Sequence, residues 1–173
     1  MAQARRISDL QKPVPSPNVT ISVSRDLLDE GHDMDSRETP AKWIRGKITN
    51  VGDRGVENCR LKILNVEGPN IPYPQHVTKI TNGFLQWEGG IRDTLRLNPG
   101  ESWIFDIGTR RFDRGCDLRL WAYFRPDSVT QCNLGAPGIY TLTLCVYGNN
   151  IQAIDRVVRI AIGEDAKDIR FPP

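Results

Sequence analysis

Gly138-Ile139-Tyr140-Thr141-Leu142-Thr143-Leu144-Cys145-Val146-Tyr147, followed by Gly148-Asn149-Asn150 and the apolar run from Ile151 to Ile162, decides how this chain folds. Tyr140, Leu142, Leu144 and Val146 project to one side of an extended backbone and Thr141, Thr143 and Cys145 to the other, the two-residue period of a half-buried strand. Gly and Asn tolerate positive φ, so Gly148-Asn149-Asn150 reads as the turn of a hairpin. The second run is ambiguous in spacing, because Ile151, Ile154, Val158 and Ile162 would also share a helix face. Its centre, Val157-Val158-Arg159-Ile160-Ala161-Ile162, is rich in β-branched side chains that crowd a helical turn and suit a pleated sheet, which assigns it to a strand.

The same signals recur upstream. Val19, Ile21 and Val23 alternate with Thr20, Ser22 and Ser24, and Ile44, Gly46 and Ile48 share one face of a strand that ends at Asn50-Val51-Gly52-Asp53-Arg54-Gly55. Val56 to Val66 follows, with Cys59, Leu61 and Ile63 inward and Asn58, Arg60 and Lys62 outward. Between them, Asp26 to Thr39 reads as a polar loop with at most one helical turn near Leu27-Leu28. Gly68 to Gly83 holds Pro69, Pro72 and Pro74 and reads as a long irregular loop. Phe84-Leu85-Gln86-Trp87 is a short apolar piece, and Ile91, Asp93, Leu95 and Leu97 suggest another strand. Asn98-Pro99-Gly100-Glu101 has the Pro and Gly positions of a type II turn. Trp103, Phe105 and Ile107 alternate after it, and the polar, glycine-punctuated stretch Gly108 to Asp117 reads as a loop. Leu118, Leu120, Ala122 and Phe124 then alternate with Arg119, Trp121, Tyr123 and Arg125, and Pro126 to Pro137 reads as another loop.

These elements make an all-β, antiparallel, immunoglobulin-like sandwich of about 7–9 strands with long loops. Its expected divisions are a Pro-rich extended arm or linker at 1–18, the sandwich at 19–163 and a surface tail at 164–173. The segments Ile48-Thr49-Asn50-Val51-Gly52, Val56-Glu57-Asn58-Cys59-Arg60-Leu61, Leu97-Asn98-Pro99-Gly100-Glu101 and Pro137-Gly138-Ile139-Tyr140 resemble the strands and turns of bacterial and archaeal cell-adhesion-related sandwich domains. That resemblance covers about two thirds of the chain and implies a fold rather than an activity.

A net charge of +2 over 173 residues provides no long-range field, so the total implies neither a polyanionic partner nor a membrane surface. No apolar run reaches the roughly 20 residues of a spanning helix, and the basic N-terminus leads into Ser8-Asp9 without an apolar stretch. The expected location is therefore cytoplasmic, the alternative being the soluble portion of a larger, membrane-anchored protein. The two histidines, His32 and His76, stand apart. His32 lies among Asp29, Glu30, Asp33 and Asp35, without the glycine and closing glutamate of a calcium loop, so no metal site and no cofactor is expected. Neither a nucleophile elbow nor a phosphate-binding loop is present, and no catalytic residue is assigned.

The notable cluster is Arg110, Arg111, Arg114, Arg119 and Arg125 with Phe112, Trp121 and Tyr123. If Leu118, Leu120, Ala122 and Phe124 face the core, Arg119, Trp121, Tyr123 and Arg125 line the opposite face, joined by Arg110 and Arg111 as candidate binding residues. Aromatic groups with arginine are the composition of binding surfaces, although a loop or second subunit covering that face accounts for them equally. The leading reading is a non-catalytic module that binds a protein partner or self-associates through one sheet face. The alternative is a module for carbohydrate or single-stranded nucleic acid, with Trp121 and Tyr123 stacking on a ring. A hydrolase with an unfamiliar site ranks last.

Cys59 shares a face with Leu61 and Ile63, whereas Cys145 lies opposite the face of Leu142, so the two cannot meet disulfide geometry. Thiol labelling of the denatured, unreduced protein is expected to find all of Cys59, Cys116, Cys132 and Cys145 free; protection of Cys59 and Cys145 would overturn their assignment to opposite faces.

Overall fold

The computed structural model describes residues 17–33, 36–71, 74–90, 94–113, 118–125, 128–165 and 167–173. The expected arm up to residue 16, the strand start around Ile91, and Arg114 and Cys116 lie outside these residues. Two antiparallel sheets face each other. The first joins β1 (Val19–Val23), β3 (Ser36–Asn50), β7 (Ser102–Arg111), β8 (Leu118–Arg125) and β9 (Ser128–Leu134) in that spatial order. Along it, β2 (Asp29–Asp33) pairs with β3 and β5 (Gln86–Trp87) with β7. The second runs β12 (Ile169–Arg170), β11 (Ile154–Ile162), β10 (Gly138–Tyr147), β4 (Val56–Glu67) and β6 (Leu95–Leu97). No helix among the described residues is long and apolar enough to cross a membrane.

The alternation read from the sequence builds the core. Tyr140, Leu142, Leu144 and Val146 of β10 and Cys59, Leu61 and Ile63 of β4 pack against Ile44, Ile48, Phe105 and Ile107 of the facing sheet. Gly46 is small of necessity, since a Cβ there would lie 2.2 Å from the Phe105 ring. The run after Asn150 is a strand, with Val146 paired to Ile154 and Gly138 to Ile162. The connection is longer than a tight turn, and Asn150 works by side-chain bonds instead: its Oδ1 accepts from Glu57 N–H and its Nδ2 donates to the Gly55 carbonyl. At Asn98–Glu101 the expected type II geometry is found. Gly100 has φ +75°, Glu101 N–H donates to the Asn98 carbonyl at 3.0 Å, and Glu101 Oε2 accepts from Asn98 N–H at 2.7 Å. That last bond is the main reason the Glu101 carboxyl sits below its ordinary pKa.

Five expectations are corrected, each by contacts that local sequence does not show. The described residues 26–33 and 36–39 are not one loop: after a single 3₁₀ turn at Arg25–Leu27, β2 pairs with the first half of β3 along the same edge that β1 lines. Within the proline-rich segment, Pro74–Asn82 forms helix α1, and its Ile80 is fully buried in the core. Proline at the first helical position is compatible with a helix, because its missing N–H would have no helical partner. The stretch from Gly108 continues β7 to Arg111, burying Thr109 and Arg110. The tail closes back as β12, with Ile169 in the core. Within the expected loop at 126–137, Ser128–Leu134 forms β9 and pairs with β8. With β2, β9 and β12, the strands among the described residues number twelve, against the expected 7–9.

Leu144 is fully buried and Val157 is 59% exposed on the neighbouring strand. Leu144→Ala is expected to lower the unfolding free energy by about 2 to 5 kcal/mol. Val157→Ala should stay within about 0.5 kcal/mol. Urea unfolding of both variants checks the register: a reversed order would place β10 with its other face inward.

Candidate functional site

The arginine and aromatic residues singled out in the sequence are not an exposed face. Leu118, Leu120 and Ala122 do join the core, but Arg119, Trp121 and Tyr123 on the other side of β8 are 5%, 2% and 4% exposed. Trp121 Nε1 donates to Thr109 Oγ1 at 2.9 Å. Arg119 and Arg111 converge on Asp33 of β2, at 3.5 and 3.8 Å, and Arg111 Nε also donates to Asp113 at 2.9 Å. Arg110 points the other way and is fully buried, donating to the Gly163 and Asp168 carbonyls at 2.6 and 2.8 Å. The expected surface is thus a covered polar layer, because β2, read as loop, brings a carboxylate to these guanidiniums, and an unpartnered buried charge would be strongly unfavourable. Phe124, expected in the core, is 44% exposed beyond the register shift between Tyr123 and Arg125. The Arg125 side chain lies outside the described residues.

An open cluster of cations and rings is found elsewhere, on the outer face of the second sheet. Antiparallel pairing of β4 with β10 sets Tyr147 opposite Arg60 and Cys145 opposite Lys62. Across them lies Phe84, whose position comes from the chain segment that follows α1. Phe84 and Tyr123 exchange backbone bonds of 2.8 Å in both directions, and Leu85 N–H donates to the Leu61 carbonyl at 2.9 Å. Tyr123 is the one sequence-predicted residue that this arrangement brings to the margin of the cluster. The Arg60 guanidinium stands 4.9 Å and the Lys62 ammonium 4.5 Å from the centre of the Phe84 ring, and Lys62 is 5.8 Å from that of Tyr147. With Asn58, Thr94 and Asn149 they line a depression of about 520 Å³. Asn58 adopts φ +51° at the irregularity where β4 leaves β6, and its Oδ1 accepts from Thr94 Oγ1 at 3.2 Å.

The two charged side chains that line this depression, Arg60 and Lys62, are both cationic, and the Asp155 carboxylate lies near Cys145 and Tyr147 beside them. Neither Arg60 nor Lys62 has a carboxylate partner among the described residues, whereas Arg96 beside them is paired with Glu57. On β10 opposite Lys62, burial and a hydrogen bond to Asp155 push the Cys145 thiol up to about 11. A hydrogen bond to Cys145, together with burial, pushes the Tyr147 phenol up to about 12. Both groups are therefore protonated near neutral pH, when a thiolate would be required for nucleophilic attack. Burial does the same to Cys59 and Cys132, held at about 12 and about 11, and Cys59, Cys132 and Cys145 are free thiols. The outward direction of Asn58, Arg60 and Lys62 was readable from alternation; their meeting with Phe84 and Tyr147 was not, since it depends on strand register and on a segment read only as apolar.

A second charged centre surrounds Arg45 on β3. Its Nε donates to Asp106 at 2.9 Å and its Nη1 to Asp29 at 2.9 Å and Glu88 at 3.1 Å. Burial outweighs Arg45 and raises the Asp106 carboxyl above its ordinary range. Of the acidic residues around His32, Asp29 is paired with Arg45, Glu30 with Lys42 and Asp33 with Arg111 and Arg119, while Asp35 lies outside the described residues. No group of three or more His, Cys, Asp or Glu among the described residues is arranged to hold a metal ion.

Because Trp121 is enclosed within the chain, Trp121→Ala is expected to reduce stability by about 3 to 5 kcal/mol, as measured by thermal or urea unfolding. A variant of unchanged stability would return Trp121 to an exposed, binding role.

No protein-family model, curated protein or solved structure matches this chain significantly.

Proposed function

We propose that this chain is a non-catalytic, immunoglobulin-like interaction module whose Arg60–Lys62 face binds an acidic segment of a protein partner. Two features support the immunoglobulin-like reading. The strands pair as β1-β3-β7 and β4-β10-β11, the order of the A-B-E and C-F-G strands in such sandwiches, with β8, β9 and α1 added to that frame. The Tyr140 hydroxyl at the start of β10 lies 2.8 Å from the Ala136 carbonyl, four residues upstream, the bond of a tyrosine corner.

The observation that carries the binding reading is the pair of cations held over aromatic rings without a carboxylate of their own among the described residues. A cation over a ring is stabilised by roughly 0.5–1 kcal/mol at an exposed site, and the apolar platform limits its mobility. Its charge stays available to an anion. The rings are less suited to stacking, because a base or sugar placed on Phe84 would displace one or both cations. This favours carboxylate-bearing protein segments over the carbohydrate or single-stranded nucleic acid of the alternative reading. The protonated Tyr147 phenol in the lining and the buried, protonated Cys145 beside it support binding rather than nucleophilic chemistry.

A fluorescein-labelled oligo-glutamate peptide followed by anisotropy tests the reading. Arg60→Ala with Lys62→Ala is expected to weaken binding at least about tenfold, or 1.4 kcal/mol, with only a small fall in melting temperature, since both side chains point outward and lose only their contacts with the rings. Added salt should weaken the wild-type complex. Equal binding by the double variant, or no binding by either protein, overturns the proposed site, and tighter binding of a single-stranded oligonucleotide than of the peptide favours the alternative ligand.

A further inference from the structure

The two cations of the Arg60–Lys62 depression stand at one ring, the guanidinium 4.9 Å and the ammonium 4.5 Å from the centre of Phe84. An aromatic ring is negative on its faces and positive at its edge, so its faces hold cations while its edge suits an anion. A single anion against that edge is near both charges, and the long side chains of Arg60 and Lys62 can turn onto it. The amides of the lining add neutral donors. Asn58 Oδ1 is occupied by Thr94 Oγ1 at 3.2 Å, which leaves the Asn58 Nδ2 hydrogens for a ligand. Asn149 is fixed by its backbone, whose N–H donates to the Glu57 carbonyl at 2.9 Å, and its side-chain amide has no hydrogen-bond partner among the described residues.

Of the other charges nearby, Arg96 is paired with Glu57 at 3.2 Å. Asp155 faces Cys145 from the side away from Lys62, two strand spacings or roughly 10 Å from β4, and it does not line the depression. The space is thus faced by two formal positive charges and two amides. A carboxylate answers one of those charges and offers two oxygens. A phosphate monoester carries about −1.5 to −2 at neutral pH with three acceptor oxygens, and so answers both. Arginine also tends to bind phosphate through two parallel hydrogen bonds, which adds geometry to charge.

Resting on the proposed role of Arg60 and Lys62 as a receptor for acidic protein segments, we infer that the group received is the phosphate of a phosphorylated serine or threonine in such a segment. The cations already occupy the faces of Phe84, so an aliphatic carrier of the phosphate suits the site better than a ring that would have to stack there. Phosphorylation of the partner then switches binding on, because an unmodified hydroxyl brings no charge to the two cations.

Fluorescein-labelled, otherwise uncharged peptides that differ at one central position, phosphoserine, glutamate or serine, test this with the full chain by anisotropy. The phosphoserine peptide is expected to bind at least about tenfold more tightly than the glutamate peptide, and inorganic phosphate to compete with it. Either Arg60→Ala or Lys62→Ala alone should remove that preference, since only the pair of cations matches a doubly charged group. Circular dichroism and melting temperature establish that both variants are folded. The preference should also shrink as pH falls from about 7.5 to about 5.5, because the phosphate gains a proton near its second pKa of about 6 while glutamate, lysine and arginine keep their charge. Equal affinity for the phosphoserine and glutamate peptides overturns the inference, as does a preference that both single variants retain or that does not change with pH. If oligo-glutamate binds through Arg60 and Lys62 with no gain from phosphate, the receptor role stands and only the phosphate assignment is wrong; if neither oligo-glutamate nor the phosphoserine peptide binds, both are overturned.

Discussion

Two sheets packed face to face share side-chain contacts but normally no backbone hydrogen bonds, and here the segment Phe84-Leu85 supplies such bonds to both. Phe84 exchanges two with Tyr123 of the first sheet, and Leu85 donates one to Leu61 of the second. Two residues later Gln86 and Trp87 pair with Asp106 and Phe105 of β7. The segment thus fills the space left where β8 stays with β7 only from Gly108 to Arg110. Its side chains alternate accordingly: Leu85 and Trp87 enter the core, the latter edge-on to Phe105, while Phe84 stays outside over Arg60 and Lys62. Orientation of the cationic face therefore follows from backbone bonding that also stitches the sandwich together.

Charge inside the fold is handled by specific pairing. Arg110, fully buried, bonds to two carbonyls of the C-terminal segment and so ties β12 to the first sheet. Carbonyl acceptors suit a buried guanidinium because they offer directed partial charge without burying a carboxylate as well. Asp33 answers Arg111 and Arg119, and Arg45 gathers Asp29, Glu88 and Asp106 from three separate elements. These contacts restrict how β2, β7 and the Glu88–Gly90 turn can sit, since displacement of any one would leave a charge without its partner in a low-dielectric setting.

The Arg60–Lys62 face differs in that its charges are not answered within the described residues. Cross-strand placement brings Tyr147 and Arg60 together directly, and Phe84 provides an apolar support that leaves the charge available. The contrast between answered and unanswered charge distinguishes structural arginines from those offered to a partner, and it follows from burial and pairing rather than residue type.

Alternation made the main strands legible without a structure: β1, the later half of β3, β4, β10 and β11 have one face apolar and one polar, and a one-residue shift would invert every side chain of each. The type II turn at Asn98–Glu101 was equally readable, because Pro and Gly there set φ locally. Where the reading failed, the deciding contact was distant in sequence. β2 is polar because it pairs at an edge and supplies carboxylates to arginines on β3, β7 and β8; α1 was hidden by a run of prolines of which only Pro74 lies in it, at the first position, where a helix tolerates it; and Trp121 and Tyr123 alternate outward as expected, but exposure is a property of what covers them. The candidate site was legible only as the outward direction of Asn58, Arg60 and Lys62. Periodicity reports which side of its own strand a residue occupies, whereas register between strands, and the segment laid across them, are set by long-range packing, which is why the tertiary structure alone brought Phe84 and Tyr147 to those two cations.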